Sequence, residues 1–207
     1  MKTSERGLLA IIRHEGVVPG PYFDSAGVLT YGVGHTAAAG WGDPEKMARG
    51  MPKDMNEALR DVFRVFREDV VAYEAAVSKA VTVPLKQHEF DALVSFHYNT
   101  GAINRASAIS KLNAGDKAGA ADALMLWKKP PEIVKRRSAE RRLFEDGTYP
   151  TGPITVWGVT DAGRVIWKPA RVLTEAEALA LMKPAPTAPP KPVERPKGFL
   201  GWFPRLF

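Results

Sequence analysis

The sequence predicts an α+β fold: a mainly helical body with one small β-hairpin lobe near the N-terminus and a C-terminal extension. Three observations carry this. Apolar residues recur at helical spacing in several capped segments, alternating residues between glycines crowd into positions 22–33, and the character of the chain changes beyond Tyr149. At 207 residues, 45% of them apolar, the chain can bury a substantial core as one main domain with an appendage.

Thr3 or Ser4 can cap a first helix running to about residue 14, with Leu8, Leu9, Ile11 and Ile12 as its buried stripe. Gly16, Pro19, Gly20 and Pro21 are expected to break the chain. Tyr22-Phe23, Val28 to Tyr31 and Val33 then read as short strands joined through Asp24-Ser25-Ala26-Gly27. Asp54 with Glu57 three residues on reads as a capping box that opens a long helix to about residue 79. Leu59, Val62, Phe63, Phe66, Val70 and Tyr73 give that helix its apolar face. After Pro84 a more hydrophobic helix covers about 86–98 and stops at Asn99-Thr100-Gly101, and shorter helices are expected at about 106–113, 117–128 and 131–144.

Beyond Tyr149, residues 154–157 and 164–167 flank Thr160-Asp161-Ala162-Gly163 as a second hairpin, with Trp157 and Trp167 expected to pack it on the bundle. Residues 174–182 read as a short helix with Glu175 and Glu177 in its first turn. Six prolines within residues 184–196 predict an extended, semi-rigid linker, and the chain finishes in an aromatic and basic segment, GFLGWFPRLF. The predicted division is therefore a domain over 1–150, a small hairpin and helix over 151–183, and a linker and tail over 184–207.

The absence of cysteine excludes a disulfide framework and thiol chemistry. Only five consecutive apolar residues, Leu8 to Ile12, stand near the N-terminus, too few for a signal-peptide core or a membrane span. The formal charge is +6, but residues 183–207 hold five basic residues against one acidic, so the body is close to neutral. A near-neutral body, and a basic helix at 135–142 without interleaved aromatics, argue against a nucleic-acid partner.

The chemistry concentrates between His14 and Thr36. Glu15 stands at the C-terminal end of an apolar helix, where the negative end of the macrodipole and apolar neighbours both disfavour ionisation, as suits a general acid. Asp24 lies nine residues on, in a polar turn where a carboxylate stays charged. Two carboxyl groups driven apart in this way are what hydrolysis of a glycosidic bond requires.

Glu15, Asp24, Thr30 and Gly32-Val33-Gly34-His35 resemble, without gaps, the pattern of the phage-type lysozymes, the endolysins of glycoside hydrolase family 24. The resemblance continues through Ala92 to Phe96 with Asn99 and Gly101, through Lys111 to Asp116 and Trp127, and through Arg136 to Arg141, Phe144 and Gly147 to Tyr149. It spans about residues 4–149 and implies a lysozyme-like fold, in which the hairpin lobe is joined by the long helix to the helical lobe. It also implies muramidase activity on the β-1,4 bond between N-acetylmuramic acid and N-acetylglucosamine of peptidoglycan.

By this resemblance Glu15 is the general acid, Asp24 positions or activates the water, and Thr30 helps to hold that water, which favours an inverting enzyme. Gly32 and Gly34 allow close backbone approach at a cleft wall or simply shape the hairpin. His35 is expected to pair with Asp69 on the long helix, and Arg136 or Arg137 to reach Glu15 and orient it. Two roles stay open for Asn99, a donor to an acetamido group or a helix C-cap. Trp127 reads as core rather than a sugar platform.

The rivals are weaker. His14, His35, His88 and His97 form no zinc motif, so neither a metal nor any other cofactor is expected. A lytic transglycosylase needs only a lone acid and leaves Asp24 and Thr30 without a task. A non-catalytic cell-wall binding module would leave walls intact. The expected partner is the glycan strand of peptidoglycan, met by a monomer that is held in the host cytoplasm until a holin-type pore releases it to act in the periplasm. The tail aromatics beside Lys197 and Arg205 suit an anionic membrane or outer-membrane surface. Folding back on the catalytic domain and docking to another phage protein are the competing readings of that tail.

Overall fold

The first helix, α1 (Glu5–Glu15), begins where the Ser4 hydroxyl accepts from the Gly7 amide, and six successive residues, Gly7 to Ile12, are buried. A computed structural model describes residues 1–183 of the protein, and the linker and tail read from 184–207 lie outside the described residues. The Ser4 amide and the Tyr149 hydroxyl both donate to Asp91, at 3.0 and 2.7 Å, so the start of α1 is fixed to the helical body. Its end is fixed by Gly16, whose φ of 77° lets the chain leave the helix while its amide still reaches the Ile12 carbonyl at 2.8 Å.

The chain then forms a three-stranded antiparallel sheet in the order β1 (Val18–Phe23), β2 (Leu29–Gly32) and β3 (His35–Thr36). Two expectations are corrected here. Pro19-Gly20-Pro21 does not break the chain: β1 runs through it, and the ladder is irregular between the Val18↔Gly32 and Tyr22↔Thr30 pairs. Proline lacks the N–H a regular ladder needs, so it sits in that irregularity instead of ending the strand. Val33 belongs to the turn, and the third strand is the His35–Thr36 pair, too short to show an alternating pattern.

α2 (Met55–Ala80) is the long connecting helix, capped by Asp54, whose carboxylate accepts from the Asn56 and Glu57 amides. Leu59, Val62, Phe63, Phe66 and Val70 are buried as the spacing requires, and Val65 and Val77 join them. Each large side chain so buried contributes roughly 1.5–3 kcal/mol. The helical body follows with α3 (Gln87–Thr100), α4 (Ser107–Asn113), α5 (Lys117–Leu124) and α6 (Val134–Asp146). The α5 helix stops at Leu124, short of the expected end near 128, and α3 ends at Gly101 with φ 60°.

Residues 151–183 supply β4 (Ile154–Val159), β5 (Val165–Leu173) and α7 (Glu175–Met182). The hairpin was expected on the bundle, carried by its tryptophans. It lies instead beside the N-terminal sheet, with a parallel bridge between Val17 and Val156. The open edge of β1 supplies the unpaired backbone groups that draw it there. Ile154, Val156, Leu173, Ala178, Leu181 and Met182 enter the same core as the helices, whereas Trp167 stays 78% exposed. Arg13 ties the segment to α1 through the Pro150 and Gly152 carbonyls and Glu175.

The seat of the sheet on α2 depends on Gly32. Its φ is 65°, and a Cβ there would stand 3.0 Å from Val62 Cγ1. Gly32→Ala combines left-handed strain with a contact the helix must yield to, and is expected to lower the unfolding free energy by roughly 1–3 kcal/mol. Urea unfolding of the variant beside the wild type measures it, and equal midpoints would remove Gly32 from the packing of the lobe.

Candidate active site

Glu15 is the last residue of α1, and its side chain keeps 24% of its surface exposed. Arg136 on α6 donates from Nη1 to Glu15 Oε1 at 2.6 Å. Its Nε donates to Glu140 Oε1 at 3.0 Å and its Nη2 to the Ser95 carbonyl at 3.3 Å. Of the two arginines read from the sequence as partners of the acid, Arg136 is the one in contact. Arg137 is wholly buried: it pairs with Glu140 Oε2, donates to Asn99 Oδ1 at 2.6 Å and to the Trp127 carbonyl at 3.1 Å, and lies over the Phe96 ring. Asn99 therefore gives its carbonyl oxygen to Arg137. Burial works against the charge of Arg136, but Glu15 and Glu140 outweigh it and hold its guanidinium more basic than usual.

Sequence reasoning missed Glu140 as a site residue. Its signal was present, since a glutamate within a cluster of arginines on one helix is the partner that two buried guanidinium groups need. The Ser95 hydroxyl also donates to it, at 2.7 Å.

Asp24 sits in the turn between β1 and β2. Its Oδ1 accepts from the Ala26 amide at 2.9 Å and the Val28 amide at 2.8 Å, and its own amide donates to the Val28 carbonyl. The turn therefore orients the carboxylate through backbone alone. Thr30 is buried on β2, where its hydroxyl donates to the Val28 carbonyl at 3.0 Å. Tyr22, paired with Thr30 across the sheet, was also missed. Its phenol is raised well above its usual range by burial and then by the charges of Glu15 and Asp24, so both carboxyl groups act on one ring.

His35 is buried, with Nδ1 2.9 Å from Asp69 Oδ2 on α2 and Nε2 2.9 Å from the Gly42 carbonyl, which ties the hairpin to the long helix. Burial raises the Asp69 carboxyl, against the bonds that His35 and Trp41 give it. Gly34 faces the Tyr98 hydroxyl, which donates to the Val33 carbonyl at 2.6 Å. Gly34, His35, Trp41, Asp69, Tyr73 and Tyr98 line a cleft of ≈ 330 Å³ between the hairpin and α2 and α3. The charge of Glu15 acts on the phenols of Tyr73 and Tyr98 at its wall. Trp127 packs edge-on against Phe96 with Arg105 over its face.

Two predictions follow from this electrostatic arrangement. Glu140→Gln leaves the wholly buried Arg137 without an anion, and Arg136 with Glu15 alone, and is expected to cost roughly 3–5 kcal/mol, measured by urea unfolding. A loss below about 1 kcal/mol would mean that the arginines find other partners.

The second concerns His14, whose imidazole is pushed down to about 4 by burial first and then by Arg136, Arg137 and Arg13. The unfolded chain takes that proton near 6.5, so stability linked to the neutral ring is present above that pH and is lost as pH falls toward 4. The loss is on the order of 3 kcal/mol. His14→Gln is expected to flatten the fall of the thermal midpoint between about pH 7 and pH 4.5. Parallel curves for variant and wild type would contradict it.

The phage lysozyme family matches residues 12–140. The endolysin of Salmonella phage P22 is 37% identical over 150 residues, covering 70% of this chain and 98% of that protein. The SAR-endolysin of Escherichia phage Mu is 37% identical over 142 residues, 65% of this chain and 76% of its own length. Among solved structures, the endolysin from Escherichia coli O157:H7 phage FAHEc1 superposes with a TM-score of 0.62 at 36% identity, over 73% of this chain and 98% of its own. The shared segment carries Glu15, the hairpin, and α6 as far as the buried Glu140, and the chain belongs to the phage lysozyme family.

Proposed function

We propose that the chain is a phage endolysin, a muramidase that hydrolyses the β-1,4 bond between N-acetylmuramic acid and N-acetylglucosamine in bacterial peptidoglycan during host lysis. The observation that carries the reading is that Glu15, held at the end of α1 by Arg136 at 2.6 Å, and Asp24, held in the hairpin turn by the Ala26 and Val28 amides, both lie in the segment matched to the family. These are two carboxyl groups from different elements, the minimum that glycoside hydrolysis requires.

Glu15 acts as the general acid. Arg136 holds Oε1, which leaves Oε2 to face the glycosidic oxygen and give it a proton as the bond to the anomeric carbon breaks. Asp24 accepts the proton of the attacking water, and Thr30 helps to place that water on the opposite face of the sugar. The result is inversion, which by the general rule calls for roughly 6.5–9.5 Å between the carboxyl groups. Gly32, Gly34 and His35 shape the hairpin wall of the cleft. Arg137, which donates to Asn99, shares Glu140 with Arg136.

Catalysis is assigned to residues 1–150, with 151–183 as an appended hairpin and helix and 184–207 as linker and tail. No helix among the described residues is long and apolar enough to cross a membrane. The chain acts on the wall after release from the host cytoplasm, as a monomer on glycan strands, and the tail is assigned to contact with an anionic membrane or outer-membrane surface.

Glu15→Gln tests the acid directly, because an amide cannot donate the proton. Release of reducing ends from purified peptidoglycan is expected to fall at least a hundredfold (roughly 10²–10⁴ for a lost general acid) in a variant whose fold is intact. Near-wild-type turnover by the folded variant would overturn the assignment. Wild-type products ending in anhydro-sugars would make the reaction a transglycosylation, and walls bound but left intact would make the chain a binding module.

A further inference from the structure

The hairpin β4–β5 lies beyond residues 12–140, the segment matched to the family, yet it is docked on both stretches that carry the carboxyl groups. Two residues after Glu15, the Val17 amide donates to the Thr155 carbonyl at 3.3 Å and the Val17 carbonyl accepts from the Trp157 amide at 2.8 Å. Immediately before Asp24, the Phe23 amide donates to the Gly163 carbonyl at 2.8 Å. The side chain of Trp157 covers Gly16: a Cβ at that glycine would stand 3.0 Å from the indole Nε1. Trp167 continues from it, its ring 5.5 Å from that of Trp157 at an interplanar angle of 69°.

An isolated apolar side chain at a surface needs no explanation. Here two indoles adjoin on a paired hairpin, one of them 78% exposed, and the row begins at the residue that follows the acid. Trp167 adds little burial to the hairpin, whose inward positions are Ile154, Val156 and Leu173. An indole offers a broad apolar face with a polar N–H edge, and a pyranose ring offers a face of C–H groups rimmed by hydroxyls, so the two are complementary.

We propose that Trp157 and Trp167 form an additional saccharide subsite, stacking on a sugar ring of the glycan strand beyond the pair that flanks the cleaved bond. The proposal rests on the peptidoglycan reading above. The glycan is the occupant because Trp157 packs on Gly16, the residue that follows Glu15, and Trp167 extends the aromatic surface from there. Gly16 is what lets the Trp157 indole lie this close, and Trp157 in turn seats the Trp167 ring beside it.

Trp167→Ala is the test, read on long purified glycan strands and on short fragments that fill only the positions next to the cleaved bond. The ratio of kcat/KM on long strands to that on short fragments is expected to fall about tenfold, almost wholly through KM for the long strands. Trp167→Phe, which keeps an aromatic face, should recover part of the ratio. In a Glu15→Gln background, long strands should quench tryptophan emission, and Trp167→Ala should remove most of that response. An unaltered ratio with active enzyme overturns the subsite alone. Equal losses on long and short substrates overturn it in favour of a structural role. Weaker binding to phosphatidylglycerol vesicles at an unaltered ratio reassigns the indoles to a membrane. A wild type that releases no reducing ends defeats the function itself, and the subsite falls with it.

Discussion

Two arginines on neighbouring positions of α6 enter the core, and Glu140, one turn further along the same helix, accepts from both. Burying two guanidinium groups without an anion is prohibitive, so this three-residue cluster must be satisfied before the helices can close. Satisfying it fixes the functional geometry. Arg137 spends its donors on Asn99, the Trp127 carbonyl and Glu140, whereas Arg136 keeps one nitrogen for Glu15. The orientation of Glu15 is thus set by residues on α3 and α6 and in the loop at 127, far from it in sequence. A buried network of this kind holds geometry well because a partial arrangement leaves a charge unpaired.

The second carboxyl group is held by different means. Asp24 is oriented by backbone amides of its own turn, and the hairpin that carries it is tied to α2 and α3 by Gly32 against Val62, Tyr31 with Asp61, His35 with Asp69, and Tyr98 with the Val33 carbonyl. Glu15 and Asp24 are therefore held by different sets of contacts around one continuous core. The hairpin from residues 151–183 adds a third anchorage, since it bonds to the backbone at Val17 and at Phe23 and spans the interval between Glu15 and Asp24.

Much of this was legible in the chain. The spacing of Leu59, Val62, Phe63, Phe66 and Val70 defined α2, and Ser4, Asp54 and Thr174 marked helix starts, because periodicity and capping are local properties. The step from Glu15 to Asp24 and Thr30 could be read for the same reason: one short segment carries all three. The continuation of β1 through Pro19-Gly20-Pro21 was not legible, because whether a proline ends a strand or sits in an irregular ladder depends on the partner strand. Tyr22 and Glu140 were equally silent. Each acquires its role from neighbours that only the folded chain brings near.

The sequence by itself determined the helical body, the hairpin and the family to which the chain belongs, since each rests on residue type and short-range order. The tertiary structure alone decided that Arg136 and not Arg137 meets Glu15, because the two adjacent side chains differ in direction around the helix and not in chemistry. It alone decided that the hairpin at 154–173 lies along β1 beside Glu15. The free edge it pairs with, Val17, is more than a hundred residues away in the chain, and nothing in the local composition of either segment names the other.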